Sequence, residues 1–94
     1  MSNSVDVRVG PAGGGWACEV EVRAAGGTTR HSVRVTAADV ARWGRGDDDP
    51  AVADLVRRSF EFLLEREPPT SILRRFDLAV IQHYFPEYDR QFRR

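Results

Sequence analysis

The sequence predicts an α+β fold, in which a three-stranded antiparallel β-meander is followed by three or four helices packed on one face. Apolar and polar residues alternate with period two over residues 1–36, which is typical of half-buried strands. Residues 50–67 instead show the spacing of an amphipathic helix. The 94 residues suffice for a single domain, with the meander in 1–36 and the helical part in 37–94.

One face of the meander is predicted to be buried and the other to face water. The residues assigned to the buried face are Val5, Val7, Val9, Trp16, Cys18, Val20, Val22, Ala24, His31, Val33 and Val35. A one-residue slip in either hairpin would move charges into the core. The first connection is predicted to be a glycine-rich loop over residues 10–15, which pairs Val9 with Trp16.

The second connection is predicted to be a tight turn at residues 26–27. This turn sets Val20 opposite Val33 on the apolar face. It also sets Glu19 opposite Arg34 on the wet face, where opposite charges across two strands attract.

Two helices follow the meander, and each has a recognisable start. Thr36 and Asp39 have the spacing of a capping box, so a short helix is predicted to run from there to Gly44. Asp49 is predicted to cap a longer helix over residues 50–67, because a proline in the first turn suits a helix start. Two prolines then end this helix.

The last third of the chain is predicted to contain two more short helices. Thr70 or Ser71 can cap the first, Asp77 can cap the second, and Pro86 ends or bends the second. Their inward residues are Ile72, Leu73 and Phe76, followed by Leu78, Ile81 and Phe85. The remaining residues form either a final helical turn or a frayed tail over 89–94.

Residues 62–88 contain three short patterns, FLLEREP, SILRxFDL and IxxYFPEY. The chain resembles a group of short uncharacterised bacterial proteins that share these patterns over residues of about 50–90. The resemblance implies a bacterial, cytoplasmic setting. It implies no activity and transfers no functional residues.

The residues that usually carry chemistry are few and scattered. A single cysteine excludes an internal disulfide and a zinc site built on several thiolates, and Cys18 falls on the buried strand face. His31 and His83 lie on different predicted elements, so structural or solvated roles are expected for both. The acidic run 47–49 is interpreted as a helix-capping loop, since Arg58 stands where a calcium loop needs glutamate. We therefore expect no catalytic residues, metal or cofactor.

The charge distribution bears on which partners the protein can have. Fourteen basic residues, all arginine, balance fourteen acidic ones, which argues against coating nucleic acid or a membrane by bulk charge. Residues 70–94 depart from this balance, because five arginines, including Arg90, Arg93 and Arg94, outnumber three acids among several aromatics. The candidate partner-interface residues are Arg74, Arg75, Tyr84, Phe85, Tyr88 and Phe92.

Three functions are compatible with these observations. Arginine and aromatic residues are enriched in protein interfaces, so the first is a non-catalytic interaction or regulatory module, self-associating or bound to another protein. The alternative is nucleic-acid binding through the same cluster or through the arginines of the wet sheet face, Arg8, Arg23, Arg30 and Arg34. An enzyme or small-ligand protein is third. Whether the late aromatics form core or interface stays open at this point.

The sequence also bears on location. No apolar stretch approaches the ~18 residues that suggest a membrane span. No basic segment followed by an apolar run is visible at the start of the sequence. A cytoplasmic protein without membrane contact is therefore expected.

Overall fold

A computed structural model describes residues 3–93 and shows an α+β fold, as predicted. The elements in chain order are β1 (Ser4–Ala12), β2 (Gly15–Ala24), β3 (Gly27–Val35), α1 (Ala37–Trp43), α2 (Asp49–Leu64), a 3-10 turn (Pro69–Ser71), β4 (Arg75–Asp77), α3 (Val80–Tyr84) and α4 (Glu87–Phe92). The four strands form one sheet in the order β1-β2-β3-β4. Arg94, which belongs to the predicted arginine cluster, lies outside the described residues.

The first three strands form the predicted antiparallel meander, and their faces are as predicted. The side chains of Cys18, Val20 and Val22 on β2 are buried, as are those of His31, Val33 and Val35 on β3. The valines of β1 are only partly buried. The helices therefore cover the apolar face of the sheet, most completely over its central strands.

The register of the first hairpin differs from the predicted one by two residues. The strands continue into the glycine segment, and the loop consists only of Gly13 and Gly14, whose φ angles are 51° and 82°. Positive φ at both central positions is the type I′ geometry, which matches the twist of the flanking strands. Val9 consequently pairs with Cys18, and the predicted pair of Val9 with Trp16 is wrong.

The register of the second hairpin also differs from the predicted one by two residues. Ala25 and Gly26 form its loop, and Gly27 begins β3 with a φ of +132°, which favours glycine. Val20 therefore pairs with His31, and Glu19 lies opposite Ser32 instead of Arg34. A shift of two residues leaves every side chain on its predicted face, which is why the faces were right although the pairs were wrong.

The two central helices lie close to their predicted positions. Thr36 and Asp39 form the predicted capping box at the start of α1. At α2 the cap is Asp48, whose Oδ1 accepts a hydrogen bond from Ala51 N at 3.0 Å, so the prediction of Asp49 is wrong by one residue. The proline then lies within the first turn, and the acidic run does cap the helix.

The predicted helix containing Ile72, Leu73 and Phe76 is wrong. After the 3-10 turn the chain becomes extended, and β4 pairs with β3 in parallel. Ser32 N donates to Arg74 O at 2.7 Å and Leu78 N donates to Arg34 O at 2.9 Å. These bonds satisfy backbone groups that β3 would otherwise expose at the edge of the sheet, and this gain outweighs local helix propensity.

The end of the chain is helical. α3 begins at Val80 without a side-chain cap, so the predicted cap at Asp77 is also wrong. α4 follows Pro86 and reaches Phe92, which is the helical alternative for the last segment. Phe62 on α2 contacts the rings of Phe85, Tyr88 and Phe92, so this segment covers the outer side of α2. Among residues 3–93, no helix combines the length and the apolar character needed to cross a membrane.

Candidate functional site

An apolar groove lies between the C-terminal end of α2 and the segment that carries β4 and α3. Its volume is about 220 Å³, and its apolar walls include Leu63, Ile72, Leu73, Phe76, Ile81 and Tyr84. Ligand pockets for small molecules usually enclose ~300–1,000 Å³. The groove is therefore suited to one or two apolar side chains of a partner.

Two side chains of the groove are exposed to an unusual degree. Leu73 is 50% exposed and Tyr84 is 69% exposed, and they are the only large hydrophobic residues exposed within residues 3–93. Single exposed hydrophobic residues are common on protein surfaces, whereas grouped ones mark interaction sites. Since both residues line the same groove, this surface is the strongest candidate for a binding site.

A buried histidine holds one wall of the groove in place. His31 Nδ1 lies 2.8 Å from Leu73 O, and His31 Nε2 lies 2.9 Å from Thr29 Oγ1. A carbonyl oxygen only accepts hydrogen bonds, so Nδ1 carries a proton and donates it to Leu73. In the neutral ring Nε2 then accepts from the Thr29 hydroxyl. His31 thus connects β3 to the backbone of the exposed Leu73.

Two basic residues, Arg74 and Arg75, directly follow Leu73 in the chain, but neither belongs to the lining of the groove, which includes the acidic Glu67. Arg74 and Arg75 are exposed, and neither forms a salt bridge with any other residue between 3 and 93. An arginine that has no acidic neighbour can form bidentate bonds to a carboxylate from outside. The residues that follow Leu73 therefore offer two positive charges outside the groove, whose own lining carries the negative charge of Glu67.

Tyr88 belongs to the core and not to the surface. Its side chain is completely buried, and its ring meets Trp43 edge-on at 5.1 Å and stacks on Phe92 at 4.3 Å. Its hydroxyl lies 2.7 Å from Ser59 Oγ, which donates its own proton to Leu55 O, so Tyr88 is the donor. Burial raises the pKa of Tyr88 above its ordinary value.

The six predicted interface residues therefore divide into two groups. Tyr84 lies on the surface at the groove and the half-buried Phe85 forms part of its wall, whereas Arg74 and Arg75 are exposed next to Leu73 in the chain and outside the groove lining. Tyr88 is buried, and the half-buried Phe92 packs against its ring, so these two stabilise the fold.

Sequence reasoning missed Leu73 as a surface residue. It placed Leu73 on the inner side of a helix, and no local signal distinguishes Leu73 from its buried neighbour Ile72. The distinction arises because the chain becomes extended at Ile72, before β4, and an extended chain turns successive side chains to opposite sides.

The wet face of the sheet carries the other arginines. Glu21 forms salt bridges with Arg23 at 2.9 Å and with Arg30 at 3.4 Å. Glu19 accepts a hydrogen bond from Ser32 Oγ at 2.7 Å. Acidic residues therefore accompany the arginines on this face and reduce its positive potential.

The residues that could act as a nucleophile or as metal ligands do not form a cluster within residues 3–93. Cys18 is buried, and its burial, followed by the nearby charges of Glu19 and Asp49, raises the pKa of the thiol to about 11. A thiol with this pKa is protonated and unreactive at neutral pH. Residues 3–93 contain no group of three or more His, Cys, Asp or Glu side chains that could hold a metal ion.

The resemblance to short bacterial proteins stays a prediction. The features of residues 3–93 that bear on a binding function are the groove and the two edges of the sheet. Comparisons with protein-family models, with curated proteins and with solved structures find no match for this chain.

Proposed function

We propose that the protein is a non-catalytic interaction module that binds a short segment of another protein in the groove at Leu73 and Tyr84. One observation carries the proposal: the two exposed large hydrophobic side chains of residues 3–93 border the same depression. The proposal includes the bacterial, cytoplasmic setting that the sequence resemblance implies.

The residues of the groove indicate which side chains the partner segment would carry. An apolar side chain would enter the groove, where Phe76 and Ile81 contribute to the walls. An acidic residue on the side of that anchor away from Glu67 would meet Arg74 or Arg75, which follow Leu73 in the chain and form no salt bridge among the described residues. Buried apolar anchors surrounded by charged contacts are the usual arrangement of small protein interfaces.

Selection from a library of random short peptides, followed by calorimetry with the peptides obtained, tests this proposal. We expect the selected peptides to combine an apolar residue with a neighbouring acid. Tyr84→Ser and Leu73→Ser should each weaken binding roughly tenfold or more, because truncation of an interface anchor typically costs ~2 kcal/mol. His83→Ser is the matched control, since His83 is exposed on the same helix outside the groove.

The charge requirement is tested separately. Arg74→Glu and Arg75→Glu should weaken binding of the acidic peptides, and added salt should reduce the difference from the unmodified protein. Peptides that bind all these variants and the unmodified protein equally would refute the groove as the binding site.

Nucleic-acid binding is the alternative, and it has less support. Arg8 and Arg34 on the wet face form no salt bridge within residues 3–93, but Asp6, Glu19 and Glu21 share that face. If this alternative holds, the protein retards single-stranded RNA or DNA at low salt, and the effect falls steeply as salt is added.

A further inference from the structure

The strand β1 forms the free edge of the sheet, opposite β4. It extends over nine residues, from Ser4 to Ala12, and within residues 3–93 it pairs only with β2. An edge of this length presents a row of backbone donors and acceptors that can pair with another strand. The side chains of β1 restrict which strand can pair with this edge.

The geometry of the first hairpin shows which backbone groups face the free edge. In a two-residue hairpin the closing pair, here Ala12 with Gly15, exchanges both of its backbone hydrogen bonds, and bonded and non-bonded pairs then alternate. Val5, Val7 and Val9 fall at the non-bonded positions, so their N–H and C=O groups point outward. Pro11 also lies at a non-bonded position, so its lack of an N–H group removes no hydrogen bond between β1 and β2.

Two side chains of β1 have unused charges. Asp6 and Arg8 are exposed on the wet face, and neither forms a salt bridge with another residue between 3 and 93. Asp6 faces Glu21 across the β1–β2 ladder, which is a pair of like charges. A positive charge on the free side of Asp6 would relieve this repulsion.

We propose that β1 pairs antiparallel with β1 of a second copy of this chain, with Val7 on the two-fold axis. In this register Asp6 of each copy lies opposite Arg8 of the other, and Val5 lies opposite Val9. The outward backbone groups form about six hydrogen bonds, two for each bonded pair. The two sheets become one continuous sheet, and the pairing does not depend on the groove.

Charge and face together select this register. Centring the pair on Asp6 or on Arg8 places like charges directly opposite one another, which is destabilising. Moving one strand by a single residue sets valines opposite charged residues whose side chains point to the other face. The register centred on Val7 avoids both penalties.

The apolar face gains from the same arrangement. Val5, Val7 and Val9 are only partly buried in the single chain, although the valines of β2 are fully buried. Residues directly opposite in an antiparallel pair have Cβ atoms ~4.5–5.5 Å apart, so the valines of the two copies would cover one another. One strand edge is smaller than a standard interface of ~1,600 Å², so we expect a dimer that dissociates on dilution.

Sedimentation velocity over a range of concentrations, with two charge-reversal variants, tests the proposal. Asp6→Arg and Arg8→Asp each replace two attractive cross-strand pairs by two repulsive ones. Each should weaken dimerisation by about tenfold or more, since such pairs contribute up to ~1 kcal/mol and 1.4 kcal/mol is tenfold. An equimolar mixture of the two variants restores complementary charges, so it should dimerise again, as should the double variant.

Two controls keep the result specific. Asp47→Arg makes the same charge change in an exposed loop with no salt bridge among residues 3–93, and it should dimerise normally. Circular dichroism shows that each variant is folded. In the unmodified protein, hydrogen exchange of the Val5, Val7 and Val9 amides should slow as concentration rises, because these amides become paired.

Three results would overturn the proposal. The first is a protein that stays monomeric at its highest soluble concentration. The second is dimerisation that does not depend on the paired charges. In that case either Asp6→Arg does not weaken the dimer, or the two folded single variants fail to dimerise when they are mixed. The third is a dimer that Tyr84→Ser dissociates, because self-association would then use the groove. Loss of peptide binding alone bears on the groove and leaves the β1 pairing intact.

Discussion

The strand β1 offers nine residues of backbone along one edge of the sheet, whereas β4 offers three along the other. The first edge is antiparallel to its neighbour and carries charged residues that alternate with valines. The second is parallel to its neighbour and borders an apolar groove. The recognition proposed at β1 therefore depends on main-chain hydrogen bonds and charge order, and the recognition proposed at β4 depends on exposed apolar side chains.

If both proposals hold, this small sheet binds two partners at once. A long edge selects another strand, since its backbone groups repeat at regular intervals. A short edge followed by helices leaves room for a depression between elements. Substitutions that affect one edge should leave the other unchanged.

The largest effect is expected from Tyr88 on α4, in contrast to Tyr84 on α3. Tyr88→Ala should lower the free energy of unfolding by ~3–5 kcal/mol, because it leaves a cavity in the core beside Trp43 and Ser59. Tyr84→Ala should change it by less than ~0.5 kcal/mol, because its side chain is largely exposed. Urea denaturation followed by circular dichroism measures both. Equal destabilisation by the two substitutions would contradict the division into core and groove residues.

A smaller effect is expected from His31, which connects β3 to the groove. His31→Leu removes the donor for Leu73 O and should cost roughly 1–3 kcal/mol of stability. It should also weaken peptide binding at the groove and leave dimerisation through β1 unchanged. Thr29→Val is the control, because it keeps the bond from His31 to Leu73. If the two variants bind peptide equally well, His31 does not position the groove.

The smallest effect concerns the pH dependence of the α4 region. Trp43 Nε1 donates to Asp89 Oδ1 at 2.9 Å, and this bond, with those from Arg93 and Arg42, lowers the pKa of Asp89 below its ordinary value of 3.8. The unfolded chain therefore takes up a proton first as the pH falls. The stabilisation is complete well above pH 3.8 and is lost as the pH falls through the folded-state pKa.

Urea midpoints measured on both sides of pH 3.8 test this sign. The unmodified protein should lose stability on acidification more steeply than Asp89→Asn, which has no proton to gain at that position. Peptide binding at the groove is expected to weaken with the loss of α4 packing before the β1 amides lose protection. Identical pH profiles for the two proteins would contradict the role of Asp89.

The sequence alone predicts the faces of the meander well and its pairs poorly. Alternation identifies Val20 and Val33 as inward residues, but it is unchanged by a shift of two residues. The turns decide between the remaining registers. Gly13 and Gly14 form a two-residue loop with positive φ at both positions, which composition does not distinguish from a longer flexible loop.

The residues of the candidate site were predicted only in part, because the sequence pattern does not show where a helix is interrupted. Tyr84 and Tyr88 are four residues apart, a spacing that places both on one face of a continuous helix. Pro86 separates α3 from α4, so Tyr84 is exposed and Tyr88 is buried. β4 left no sequence signal, because three extended residues are too few to show a period and their partner strand is distant in the chain.

The bond from His31 to Leu73 joins residues 42 positions apart in the sequence. The meander is built from contacts between neighbouring segments, which form early, whereas the β3–β4 pair requires closure of a long loop. During synthesis β1 to β3 are made before β4, so the groove forms only after β4 has joined the sheet. A partner that recognises the groove would bind only chains whose folding has passed this step, and its binding would report on completed assembly.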